Sequence, residues 1–363
     1  MKIRDDLILS ERTEGNETHI IVKDPKRRKF FRLGELEFLI LQELDGKTLL
    51  EDIQRALLEK HNLAVSTADL EGFVEGLREK HLLSEKAAVQ GEALAERSPW
   101  TVSKGLLHIK IPLFNPDNLL ARLTRPMGFL FTPYFLVFSV GLTAFGIVVT
   151  FLHWDGITAH LSSFRQAGNL ILLVWIIQLF SISIHELSHG VTCKHFGGEV
   201  TEMGFLLLLL VVPCIYCNLN DIRLFNSRSK RLGVLIAGIY SGLLLWGIGA
   251  IMWLIAPKGT IWRDISSCLI INSGILSLLN INPLIKLDGY YILSDCLNIP
   301  NLRSKSFEFL RSAILRRTVK TTRKVTKREK AIYFTYGVLA TVYSALLLTF
   351  GMWTIGTSVM QYL

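Results

Sequence analysis

Cysteine is scarce in this chain, and its placement argues against a disulfide framework. All five, Cys193, Cys214, Cys217, Cys268 and Cys296, lie in or beside apolar sequence, which is not the pattern of a disulfide-stapled secreted domain. Cys214 and Cys217 form one C-x-x-C. A zinc ribbon needs a second pair and a redox motif needs a soluble βαβ setting, so packing is the expected role. No secretory signal is expected either, because Met1 to Asp6 runs into polar sequence without an apolar core. The N-terminal domain is therefore expected to stay in the cytosol.

Charge is missing from long stretches, and this excludes an ordinary soluble enzyme. Half of the residues are hydrophobic, mean hydropathy is +0.37, and several uncharged runs exceed the length needed to cross a bilayer. Residues 1–126 are rich in charge, whereas 127–297 and 331–363 are apolar. The net charge of +9 could indicate a nucleic-acid partner. Its location indicates anionic lipid instead, since nine Lys or Arg fall between Arg311 and Lys330, beside an apolar segment.

Five helices are expected to span the membrane, at Phe129 to Leu152, Asn169 to Val191, Leu232 to Ala256, Ile265 to Leu287 and Ala331 to Gly356. The connection 220–231 carries Arg223, Arg228, Lys230 and Arg231, and 302–330 is strongly basic, so the positive-inside bias places the N-terminus in the cytosol and the C-terminus outside. The apolar run Phe205 to Cys217 is too short to cross and contains Pro213. Its flanks lie on the same side, so it reads as a re-entrant or membrane-edge strand segment.

The motif that carries chemistry is His185-Glu186-Leu187-Ser188-His189, an H-E-x-x-H at the end of the uncharged run that starts at Asn169. Residues four apart share a helix face, so His185 and His189 can hold one Zn2+ while Glu186, beside them, takes a proton from a water. Ionisable side chains at membrane depth are costly and usually functional. An inward second helix reaches His185 about 24 Å from Asn169, and an inward fourth helix reaches Asp288 at its inner end, which brings His185, His189 and Asp288 to one depth. Two histidines and a carboxylate leave a fourth position open, as a catalytic zinc requires. His195, six residues after His189, and Glu199 are competitors for the third ligand; Asp288 is preferred.

Asn280-Ile-Asn-Pro283-Leu-Ile-Lys-Leu-Asp288-Gly289 resembles the N-x-x-P-x-x-x-x-D-G signature of the site-2 protease family of intramembrane zinc metalloproteases. With His185 to His189 and the Ala237-Gly238 opening of the intervening helix, the resemblance covers roughly 170–300. The strings Val212-Pro-Cys-Ile-Tyr216 and Asn282 to Tyr291 look like the bacterial branch of peptide zinc metalloproteases. The family implies zinc on His185, His189 and Asp288, Glu186 as general base, and Asn280 near the substrate backbone, with Asn282 as a further candidate. It also implies a multi-pass protein of the bacterial cytoplasmic membrane that cleaves a peptide precursor or a membrane-anchored protein near the cytosolic face, in maturation or export, with a peptide exporter as a further partner. Ala237-Gly238-Ile239 departs from the Ala-Gly-Pro of many members. Gly238 and Gly242 form a G-x-x-x-G, read as close packing within the bundle.

In the N-terminal region, Thr18 to Lys23 and Lys29 to Leu33 read as a hairpin, followed by three short helices, the second opened by the capping box Thr48-x-x-Glu51. This order resembles the PqqD-like winged-helix domains that bind leader peptides, which implies a leader strand added to the hairpin edge. No basic recognition helix supports DNA binding. The expected architecture is thus a polytopic α-helical membrane protein with a small cytosolic α+β winged-helix domain: residues 1–85 the peptide-binding domain, 86–126 a linker along the membrane surface, and 127–363 the intramembrane zinc metalloprotease domain. A noncatalytic membrane scaffold that binds peptide through the N-terminal domain is the alternative.

Overall fold

The computed structural model describes residues 2–14, 17–27, 29–44, 48–84, 101–102, 108–166, 170–208, 212–315 and 325–360. Strands β1 (Ile8–Glu14), β2 (Glu17–Asp24) and β3 (Lys29–Leu33) form an antiparallel sheet in that order, followed by helices α1 (Glu35–Glu43), α2 (Leu50–His61) and α3 (Thr67–Glu79). The expected hairpin is β2–β3, and β1 adds a third strand. Ile20 and Val22 alternate inward from β2 and meet Leu33, Ile40, Ile53, Leu57, Leu70, Val74 and Leu77 in a core belonging to this domain alone. Ser66 caps α3 by accepting the Asp69 amide at 3.1 Å. The capping box expected at Thr48 does not form: α2 starts one residue later, with Leu49 at the N-cap and no side-chain cap. At the start of α1 only one half of such a box is present: the Glu37 carboxylate accepts the Gly34 amide at 2.7 Å, and Gly34 has no side chain to return the contact.

The opposite face of the sheet docks on the rest of the protein. Ser10 and Arg12 of β1 stand across from Ile21 and His19 of β2, so they share a face with Ile21 and Lys23. Ser10 donates to the Leu224 carbonyl at 2.7 Å, Arg12 pairs with Asp295 at 3.0 Å, and the buried Lys23 ammonium pairs with Asp221 and Glu199, each at 2.8 Å. Burial works against the charged Lys23, but these two carboxylates outweigh it and raise its pKa. Lys23→Met leaves Asp221 buried without its cation and is expected to weaken docking by about 3 kcal/mol. Faster hydrogen exchange in β1 and β2, with α2 and α3 still protected, is the measurable result.

After the N-terminal domain, β4 (Thr101–Val102) and β5 (His108–Phe114) lead to α4 (Asp117–Thr124), α5 (Pro133–Leu152), α6 (Trp154–Gln166) and α7 (Leu170–His195). Strands β6 (Met203–Leu208) and β7 (Val212–Cys217) come next, then α8 (Arg228–Ile255), α9 (Ile261–Ile281), α10 (Asp288–Leu297), α11 (Leu302–Ile314) and α12 (Lys327–Met360). Among the described residues, five helices are long and apolar enough to cross a membrane: Pro133–Leu152, Leu172–His195, Arg228–Ile255, Ile261–Ile281 and Lys327–Trp353. The chain has the helical make-up of a polytopic membrane protein. Helix α8 is central, packing on α5, α7, α9 and α10.

The short apolar run Phe205 to Cys217 forms the β6–β7 hairpin. It is joined by β5 from the segment read as a surface linker, giving an antiparallel sheet β4-β5-β6-β7 with β7 at its edge. One expectation is corrected. The fourth spanning helix does not run on to Leu287, and Asp288 is not at its inner end. Helix α9 stops at Ile281, Asn282 is extended (φ −68°, ψ 117°), and Asp288 is the first residue of the separate helix α10. Pro283 explains the break, because it lacks an amide donor and pushes the residue before it out of helical conformation.

Candidate metal centre

Helix α7 carries His185, Glu186 and His189 on its last turns, and the start of α10 brings Asp288 against them. The His185 and His189 Nε2 atoms are 3.2 Å apart, and Asp288 Oδ2 lies 3.0 Å from the first and 3.2 Å from the second. Three donor atoms at these separations match an edge of about 3.3 Å for a tetrahedron with zinc bond lengths near 2.05 Å. Both imidazoles are buried. His189 Nδ1 sits 2.6 Å from the Val234 carbonyl, which can only accept; the proton therefore stays on Nδ1 and the Nε2 lone pair faces the triangle. The donor set, its spacing and this tautomer all fit a zinc ion.

Two glycines let the helices come this close. The α8 backbone at Gly238 lies against both imidazoles, and a β-carbon there would stand 2.6 Å from His185 Nε2. Gly289, next to Asp288, abuts the last carbonyls of α9, where a β-carbon would lie 2.8 Å from the Asn280 oxygen. The turn between α9 and α10 is held from outside as well. Tyr336 donates to the Pro283 carbonyl at 3.0 Å and Arg303 to the Leu284 carbonyl at 2.5 Å.

Glu186 does not join the triangle. Its Oε2 accepts the backbone amide of Cys217 at 2.9 Å, so the edge strand β7 fixes this carboxylate. The C-x-x-C cysteine thus enters the site through its backbone rather than its thiol. Burial raises the pKa of the Cys217 thiol, in keeping with packing. Among the described residues, His185, His189 and Asp288 form the one group of three or more side chains placed to share a metal ion. His195 stacks on Phe131, ring centroids 3.8 Å apart, and Glu199 pairs with Lys23, so both competitors lie elsewhere.

Asn280 is buried on α9 with its amide donating to the Leu276 carbonyl at 2.9 Å, and Asn282 Oδ1 accepts the Leu284 amide at 2.9 Å. Both side chains are engaged by their own backbone. Sequence reasoning did not find the Val234 carbonyl or the Cys217 amide. Backbone groups leave no residue-type signal. The space-making role of Gly238 had a trace in the G-x-x-x-G pattern, which marks close approach without saying to what.

A stretch of 168 residues, 46% of the chain, is 26% identical to a curated protein of Bacillus subtilis (strain 168) named "Putative peptide zinc metalloprotease protein YydH". The match covers 65% of that relative, so the chain spans less than two thirds of its length. No protein-family model matches the chain, and no solved structure matches it.

Proposed function

We propose that the protein is an intramembrane zinc metalloendopeptidase of the site-2 type. The observation that carries this reading is the triangle of His185, His189 and Asp288 donor atoms with the Glu186 carboxylate held beside it. These three residues would hold the zinc. When bound, zinc polarises the scissile carbonyl and makes a water easier to deprotonate. Glu186 takes the proton of the attacking water and passes it to the leaving amine nitrogen. With Oε2 held by Cys217, the other carboxylate oxygen is left for this transfer.

The substrate is proposed to be a peptide precursor or a membrane-anchored protein cut near the cytosolic face. Asn280 and Asn282 would hydrogen-bond its extended backbone, for which Asn280 has to release the Leu276 carbonyl. The N-terminal domain would act as a PqqD-like reader of a leader segment. Its docking supports this role, because β1 and β2 face the membrane domain through their side chains while β3 remains an edge strand open to strand addition.

Glu186→Gln tests the reading. The variant is expected to keep its zinc and to lose at least about a hundredfold in cleavage of a library of membrane-anchored reporters with varied juxtamembrane sequence. Normal cleavage by the zinc-loaded variant would remove Glu186 from this role. A folded wild type that takes up no zinc would favour the noncatalytic peptide-binding scaffold.

A further inference from the structure

A hydrolysis of this kind builds negative charge on the scissile carbonyl oxygen, and a fixed donor at that position is commonly the largest single contribution a protein makes. Asn280 already spends an amide hydrogen on the Leu276 carbonyl, and Asn282 is held through its oxygen by the Leu284 amide. Three other tyrosine hydroxyls have hydrogen-bond partners. Tyr290 accepts the Arg303 amide at 3.3 Å, Tyr336 donates to Pro283, and Tyr240 pairs with Ser139.

Tyr291 differs from these. It stands three residues after Asp288 on α10, which puts the two side chains on one helix face with β-carbons about 5–6 Å apart. It is 44% exposed, and its hydroxyl has no hydrogen-bond partner among the described residues. Its ring meets Tyr290 edge to face at 5.1 Å, and the charges of Asp288 and Arg223 act on its hydroxyl with opposite sign. Arg223 in turn lies over the Phe30 ring of β3 at 5.9 Å. The phenol therefore stands partly exposed on the face of α10 that also carries Asp288. Burial raises its pKa above the usual tyrosine value, so it keeps its proton at neutral pH and can donate.

We propose that Tyr291 is a further catalytic residue, whose hydroxyl donates a hydrogen bond to the scissile carbonyl oxygen as that oxygen becomes an oxyanion. The inference rests on the protease reading above. Attack of the water oxygen forms the new C–O bond, and the carbonyl π pair moves onto the oxygen that Tyr291 meets. Tyr291 keeps its proton throughout. The pair then returns, the C–N bond breaks, and the nitrogen receives the proton carried by Glu186.

The test compares full-length, detergent-purified wild type, Tyr291→Phe and Tyr290→Phe. Zinc per chain is measured first, then binding of a Leu-Leu phosphinic dipeptide, whose tetrahedral phosphinate stands in for the oxyanion, and of Leu-Leu amide. Tyr291→Phe is expected to keep its zinc and its amide affinity and to bind the phosphinate at least about tenfold more weakly, with kcat on a cleaved reporter down about a hundredfold and KM little changed. Tyr290→Phe is expected to lower thermal stability and leave the phosphinate affinity as it was. Equal phosphinate affinity in wild type and Tyr291→Phe would overturn the role of Tyr291 alone. A zinc-loaded wild type that does not bind the phosphinate at all would overturn the protease reading, and the Tyr291 role with it.

Discussion

Asp288→Ala is expected to abolish zinc retention in the purified protein, while His195→Ala keeps about one zinc per chain. The contrast is sharp because the two side chains were rivals on sequence grounds and stand in different surroundings. Asp288 Oδ2 completes a triangle whose other corners are 3.0 and 3.2 Å away. His195 is stacked on Phe131. Zinc bound by four protein ligands is worth about 10–16 kcal/mol, so each contributes roughly 2.5–4 kcal/mol, and losing one weakens binding by about a hundredfold to a thousandfold. Peptidase activity is expected to disappear with the metal. Metal analysis after gel filtration reads the outcome, and hydrogen exchange in the N-terminal domain core checks that the variant remains folded. Zinc lost only in His195→Ala would mean that the ligand set is wrong.

Much of this architecture was legible in the sequence because its signals are local. Uncharged runs marked the five long helices, since a bilayer-length stretch without charge has few other uses. H-E-x-x-H needed only the periodicity of one helix. Asp288 stands beside the two histidines although it opens a separate helix: depth along the chain brought it to their level, while the effect of Pro283 on Asn282 was missed. The shift from Thr48 to Leu49 at the start of α2 is the usual ambiguity of a helix end.

What was not legible depends on partners far apart in sequence. Arg12 and Asp295 are separated by 283 positions, and nothing local to either suggests the pair. The pairing of β5 with β6 is likewise nonlocal, and it gave strand structure to residues read as a surface linker. Asp295 shows why such contacts bear on the site. It lies near the end of the short helix that Asp288 begins, and it is gripped by Arg12 from the N-terminal domain and by Arg231 from α8 at 2.9 Å. The position of the Asp288 carboxylate is thus set partly by how the N-terminal domain docks.

Gly238→Ala is the smallest substitution expected to destroy the site from outside the ligand set. The α8 backbone runs against the faces of both imidazoles, so the added methyl group would fall within contact distance of His189 Nε2 and 2.6 Å from His185 Nε2. These atoms cannot move aside cheaply. His189 is anchored through Nδ1 to the Val234 carbonyl at 2.6 Å, and α7 and α8 are packed along their length. Either the imidazoles turn and lose their common focus, or the helices part and the triangle opens. Zinc occupancy is expected to fall to background in both cases. Gly242→Ala is the matched control one turn along α8. There the new methyl group meets the Ser277 hydroxyl, the end of a short side chain that can rotate. That variant is expected to lose some thermal stability and keep its zinc. Metal analysis and thermal melts of the two variants side by side separate a general intolerance of this interface to side chains from a specific demand at position 238. Equal zinc in Gly238→Ala and wild type would mean that the imidazoles do not bind metal where the helices hold them.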